Sequence, residues 1–148
     1  MPYVPDVARI ERLHIEALFA ADEESLRLDE LQGREDWLAL RLALHPAARF
    51  DWLTSPACSI WQSQRDELDG ELEFEWHAEG ILLTRPGLEV QPTALDRAGH
   101  RFLFGIRLGE TVGEAAVTVA TLYPDTDIGS LFTCLVNSGA FAAQPDRS

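Results

Sequence analysis

Few side chains in this sequence could ligate a metal or attack a substrate. They are four histidines, His14, His45, His77 and His100, and two cysteines, Cys58 and Cys134. No two histidines stand at a ligand spacing, and neither Cys-x-x-Cys nor His-x-x-x-His occurs. No metal centre is legible, and no cofactor is expected. Phosphate loops and nucleophile elbows are missing as well. Cys58 follows the helix-start pair Ser55-Pro56, a place where a thiol pKa can fall, but a buried structural thiol is the commoner explanation. Glu71, Glu73 and Glu75 alternate with Leu72, Phe74 and Trp76. Such a ladder could bind a cation, although its commoner use is a charged edge that blocks unwanted strand pairing. The remaining chemistry is recognition. A strand edge at Leu88, Glu89, Val90 and Gln91 would offer backbone hydrogen bonds to an added peptide strand. A helix carrying Ser130, Leu131 and Cys134 would form the groove wall beside it.

The elements that must position these residues follow from periodicity. Pro5 to Ala21 places Val7, Ile10, His14, Ala17, Leu18 and Ala21 near one helical face. A polar stretch to Asp36 reads as loop with a short helical turn. From Trp37 the period drops to two, with Leu38, Leu40, Leu42 and Leu44 alternating with Ala39, Arg41, Ala43 and His45, a half-buried strand signal that His45-Pro46 ends. Ala48 to Leu53 reads as a second strand, Pro56 to Gln64 as a helix, and Arg65 to Gly70 as a charged linker. The division into modules is placed there, at 1–66 and 67–148.

Three strands are expected next, at Glu71 to Trp76, Ile81 to Thr84 and Leu88 to Gln91. Three helices follow them. The first starts near Thr93 and stops at Gly109. The second opens on the capping box Thr111-x-x-Glu114 and ends near Tyr123-Pro124. The third starts at Asp125 or Asp127, buries Ile128, Leu131, Phe132 and Leu135, and ends at Asn137-Ser138-Gly139. The expected class is α+β, with a mixed N-terminal module and a winged-helix-like module of three short strands followed by three helices. Trp37, Trp52, Trp61 and Trp76 read as core anchors.

Composition narrows the partners. The 148 residues carry 25 acidic against 12 basic side chains, all arginine, for a formal net charge of −13. A nucleic-acid clamp needs clustered cations, and so does docking on anionic lipid. In a DNA-reading winged helix the last helix enters the major groove, yet here it carries no arginine, and no basic residue stands between Leu108 and Asp146. No apolar run reaches the roughly 20 residues of a membrane span, and the opening MPYVPDVARIER has no signal core. Two cysteines make no disulfide framework, so a cytoplasmic setting is expected.

Leu40-Arg41-Leu42-Ala43-Leu44-His45-Pro46, with Ile60-Trp61-Gln62 downstream and the opening Pro2-Tyr3-Val4-Pro5-Asp6, resembles the C-terminal half of the HvfC/BufC family, whose members were once labelled DNA-binding domains. Most members carry a further helical N-terminal domain, which has no counterpart in these residues. Residues 76–141 are also similar to the PqqD-type peptide-recognition fold, in which three strands and three helices capture a leader peptide. The resemblance implies a non-catalytic partner that holds a precursor leader peptide while a multinuclear non-heme iron oxygenase modifies its cysteines. The older family label keeps a DNA-binding regulator as the alternative.

Overall fold

The structure, a computed structural model, describes residues 4–32, 34–53 and 78–143. The expected helix at 56–64, the linker at 65–70 and the strand at 71–76 lie outside them, as do Cys58, His77, Trp61 and Trp76. Among the described residues the order is α1 (Val4–Leu18), α2 (Leu28–Leu31), a 3-10 turn (Trp37–Ala39), β1 (Arg49–Leu53), β2 (Glu79–Thr84), β3 (Gln91–Leu95), α3 (Arg97–Arg107), α4 (Val112–Leu122) and α5 (Ile128–Ser138). The class is α+β: a three-stranded antiparallel sheet of order β1-β2-β3, followed by helices.

The sheet separates two apolar layers, because strand side chains alternate between its faces. Leu53, Ile81 and Leu83 pack with Val90 against Ile10 and Ala17 of α1. Phe50, Leu82 and Leu95 enter the larger core on the other face, with Phe102, Leu103 and Ile106 of α3, Val112 and Val119 of α4, and Phe132 and Leu135 of α5. Gly80 lies where β1 and β3 crowd β2. A Cβ there would stand 2.9 Å from Leu95 Cβ and 3.0 Å from Trp52 Cε3, so the sequence leaves the side chain out.

The helix ends obey local signals. Asp96 caps α3 by accepting from the Gly99 N–H, Thr111 and Glu114 form the capping box of α4, and Asp127 accepts from the Ser130 N–H at the start of α5. Gly139 ends α5 at φ +88 with Pro86 packed beside it, a left-handed turn natural to glycine. The last turn of α1 has no basic residue of its own. Arg85, from the end of β2, supplies the cation: its guanidinium donates to the carbonyls of Ala17, Leu18, Ala20 and Ala21 and to the Asp22 carboxylate. A buried cation there satisfies orphan carbonyls and opposes the helix dipole.

Two expectations need correction. Leu38 to Leu44 is not a strand. Trp37–Ala39 is a 3-10 turn that leaves Leu38 exposed, and the chain beyond it is extended with Leu40 and Leu42 buried. Its partners are not a neighbouring strand. The Val112 N–H donates to Leu40 O, the Ala142 N–H donates to Ala43 O, and Leu44 bridges Phe141. One-sided burial imposes the period of two without a ladder. Leu88 to Gln91 is not a strand either: residues 86–89 form a bend, and β3 runs through Gln91–Leu95, so α3 starts at Arg97 rather than near Thr93. Among the described residues the sheet takes its outer strand from Arg49–Leu53, which pairs with β2 from Arg49 opposite Leu83 to Leu53 opposite Glu79. The pairing joins residues on the two sides of the expected 66/67 division. The tail does so again through Ser25 with Ala142 and Leu44 with Phe141.

Candidate peptide-binding groove

Which backbone groups a sheet edge offers depends on the parity of its ladder, since antiparallel residues alternately face the neighbour and face away. The Trp52 N–H donates to the Asp51 carboxylate at 2.8 Å, so Trp52 faces away from β2. Gly80, opposite Trp52, therefore turns its groups toward β3, where it pairs with Leu95. Counting back along β3, Thr93 and Gln91 also face β2, and Pro92 and Ala94 face outward. The parity fits the sequence, because Pro92 has no N–H to give and proline belongs on an edge. Among the described residues no strand pairs with the outer edge of β3, which thus presents the carbonyls of Pro92 and Ala94 and one donor, the Ala94 N–H. Ala94 is exposed.

Helix α5 touches residues that flank β3, one near each of its own ends. Near its start, Leu131 Cδ1 lies 3.5 Å from where a Gly99 Cβ would be, just beyond the end of β3. At its finish Gly139 packs against Pro86, before β3 begins, with 3.3 Å from its Cβ position to Pro86 Cβ. Leu131, Cys134 and Ser138, at i, i+3 and i+7, share the flank that contains the Gly99 contact. Leu131 is half-buried, and Cys134 is an exposed free thiol. Ser138 donates its hydroxyl to Leu135 O at 2.7 Å.

The residues expected to form the site divide between these surroundings. Ser130, Leu131 and Cys134 are on α5 as expected, although the Ser130 N–H is engaged by Asp127 in the cap. That bond, first among the causes, holds the Asp127 carboxyl below its ordinary range. Of the four edge residues only Gln91 is in β3. Leu88 and Glu89 sit in the bend, Leu88 at 94% exposure, and Val90 is core beneath α1 at 3%. The sequence reading missed Pro92 and Ala94. Proline at position 92 was the signal for an edge strand.

His45 has a structural part. Its Nδ1 accepts from the Ala47 N–H at 3.0 Å, which leaves Nε2–H to donate to Glu23 O at 2.7 Å. The Leu44-His45-Pro46 stretch is thereby a junction that ties the loop after α1 to the entry of β1. Among the described residues no three His, Cys, Asp or Glu groups converge to hold a metal ion. No described helix is long and apolar enough to cross a membrane.

Two clefts open elsewhere. One, of about 390 Å³, is lined by Leu28, Leu31, Gln32, Arg34, Trp37 and Phe132, with Trp37 stacked on Phe132 at 5.6 Å. The other, of about 370 Å³, is lined by Trp52, Arg97, His100, Arg101, Phe104 and Tyr123. Trp37 and Trp52 are half-buried cleft walls rather than the fully enclosed anchors their type suggests.

Comparison with known proteins adds no relative: no family model, no curated protein and no solved structure matches the chain.

Proposed function

We propose that the protein is a non-catalytic peptide-binding partner. It takes the leader of a precursor peptide as an added strand on β3 and supports the peptide's modification by a multinuclear non-heme iron oxygenase, which supplies the metal. The observation that carries this reading is the parity of β3, which turns the backbone groups of Pro92 and Ala94 away from β2, with Leu131 of α5 packed at Gly99 just beyond the strand's end. An added strand would exchange two hydrogen bonds with Ala94 and give a third to the Pro92 carbonyl. Its alternate side chains would meet the α5 flank, where apolar contact sets specificity. The HvfC/BufC and PqqD-type resemblances support the same reading, and the arginine-free last helix speaks against DNA as the ligand.

Isothermal titration with a synthetic precursor leader tests it. Ala94→Pro removes the one outward donor while leaving the ladder to β2 intact, and should weaken binding roughly tenfold. Leu131→Glu should weaken it further, by about a hundredfold, through a charge placed in a desolvated groove. With a net charge of −13, leaders with basic residues beside their anchors should bind more tightly, and added salt should weaken them. If both variants, folded by circular dichroism, bind the leader like the parent, the groove is not the site.

A further inference from the structure

The acidity of the chain conceals one cationic stripe. Helix α3 contains three of the twelve arginines and His100 and no carboxylate. Arg97, His100, Phe104 and Arg107 recur at i, i+3, i+7 and i+10, so they share the outer face that lies along β1. Each guanidinium is held over rings: Arg97 lies 5.4 Å from the Trp52 centroid, and Arg107 lies 4.6 Å from Phe50 and 5.3 Å from Phe104. Between them His100 meets Phe50 and Trp52 edge-on and stacks on Phe104.

Arg101, on the same helix, grips Glu110 with two parallel bonds of 3.0 and 2.9 Å. Arg97 and Arg107 have no such carboxylate among the described residues; their contacts there are the rings. Stacking fixes a guanidinium and leaves its in-plane N–H fork outward, the geometry that fits a carboxylate.

We propose that this stripe and its cleft form a second recognition surface, distinct from the β3 groove, for a short acidic segment of a partner peptide or protein with an apolar side chain between two carboxylates. The dimensions carry the choice. Ten residues of helix separate Arg97 from Arg107 by about 15 Å. Carboxylates four residues apart on an extended chain are separated by about 13 Å and point the same way, with the residue between them aimed into the cleft. A phosphate ligand has less to hold it, because the amide that would cradle it at the start of α3, the Gly99 N–H, is bound to Asp96 at 2.8 Å. Strand addition to β1 is not required, and Asp51 already occupies one of the outward donors of that edge, the Trp52 N–H.

The probe is the blocked pentapeptide Glu-Ala-Phe-Ala-Glu, titrated calorimetrically into the full chain at low salt. Gln-Ala-Phe-Ala-Gln and Lys-Ala-Phe-Ala-Lys serve as controls. The acidic peptide should bind at least about tenfold tighter than either control and lose affinity as salt rises. Arg97→Gln and Arg107→Gln, both at exposed positions, should each weaken it by about five- to tenfold, and the corresponding lysine variants should recover part of the loss. Ala94→Pro should leave it unchanged, which separates this surface from the groove. Equal binding of the acidic and amide peptides, or parent-like binding by the Arg97→Gln/Arg107→Gln double variant, overturns the proposal. Displacement of the peptide by equimolar inorganic phosphate also overturns it, by reassigning the stripe to phosphorylated ligands.

Discussion

The backbone N–H of Trp52 is capped by the carboxylate of Asp51, its own neighbour, at 2.8 Å. Among the described residues the two edges of the sheet are thereby unequal. On β1 the outward donor at Trp52 is spent within the chain, and on β3 the donor at Ala94 meets no acceptor from the described residues. Asp51→Ala should release the Trp52 N–H and make β1 adhesive, seen as concentration-dependent dimer or aggregate in size-exclusion chromatography with light scattering. The variant also loses the solvent-exposed ion pair with Arg9, for a stability cost under about 1 kcal/mol. A strictly monomeric Asp51→Ala protein would show that the cap does not protect the edge.

Arg85 should be the costliest polar residue to remove. Its side chain is nearly buried and donates to four carbonyls at the end of α1. Arg85→Ala should destabilise the fold by about 3 kcal/mol in urea denaturation, since four carbonyls lose one charged donor and the bond to Ala17 O is buried. Arg85→Lys should recover less than half of that, because an ammonium cannot span the same set. Hydrogen exchange should localise the damage to α1.

Gly80→Ala tests the crossing of Trp52 and Leu95 over β2. The added methyl meets Leu95 Cβ at 2.9 Å, inside contact distance, and neither neighbour is a free side-chain end. A loss of about 1–3 kcal/mol is expected, measured by thermal or urea unfolding. Unchanged stability would mean that the strands part there without strain.

Acidification should weaken the fold through His100. Burial is the main cause holding its imidazole below the ordinary 6.5; Asp51 opposes this and Arg107 reinforces it. As pH falls through 6.5 the unfolded chain takes up the proton while the folded chain does not. Stability therefore declines below that pH and levels once the folded imidazole also protonates. His100→Gln should flatten this part of the stability profile, measured by urea midpoints across the acid range. A parallel profile for the two proteins would remove His100 from the account.

What the sequence disclosed was local. The Thr111–Glu114 box, the Asp127 cap and the stops at Gly109 and Gly139 depend on residues within a turn of each other, and each lies where its type demands. What stayed hidden was non-local. Leu40 and Leu42 alternate like a strand because a helix start and the chain's tail bury one side of them. Val90 looks like an edge residue until α1, from the other end of the chain, covers it. The α5 flank was legible because helical periodicity alone defines it. The β3 edge was displaced because pairing register is decided by the partner strand, which no single segment encodes.

The two bridges of Ser25 with Ala142 and Leu44 with Phe141 join the first third of the sequence to residues 141 and 142. During synthesis Ser25, in the loop after α1, and Ala43 and Leu44, before β1, must therefore wait for residues 141 and 142 before these contacts form. The packing around Leu26, Leu40 and Leu42 stays incomplete until then, because Phe141 is the last residue of their core cluster to be made. Closure of this core is then a late event, timed by the arrival of residues 141–143 rather than by the sheet, and the emerging chain is most vulnerable to proteases and to its neighbours before they appear.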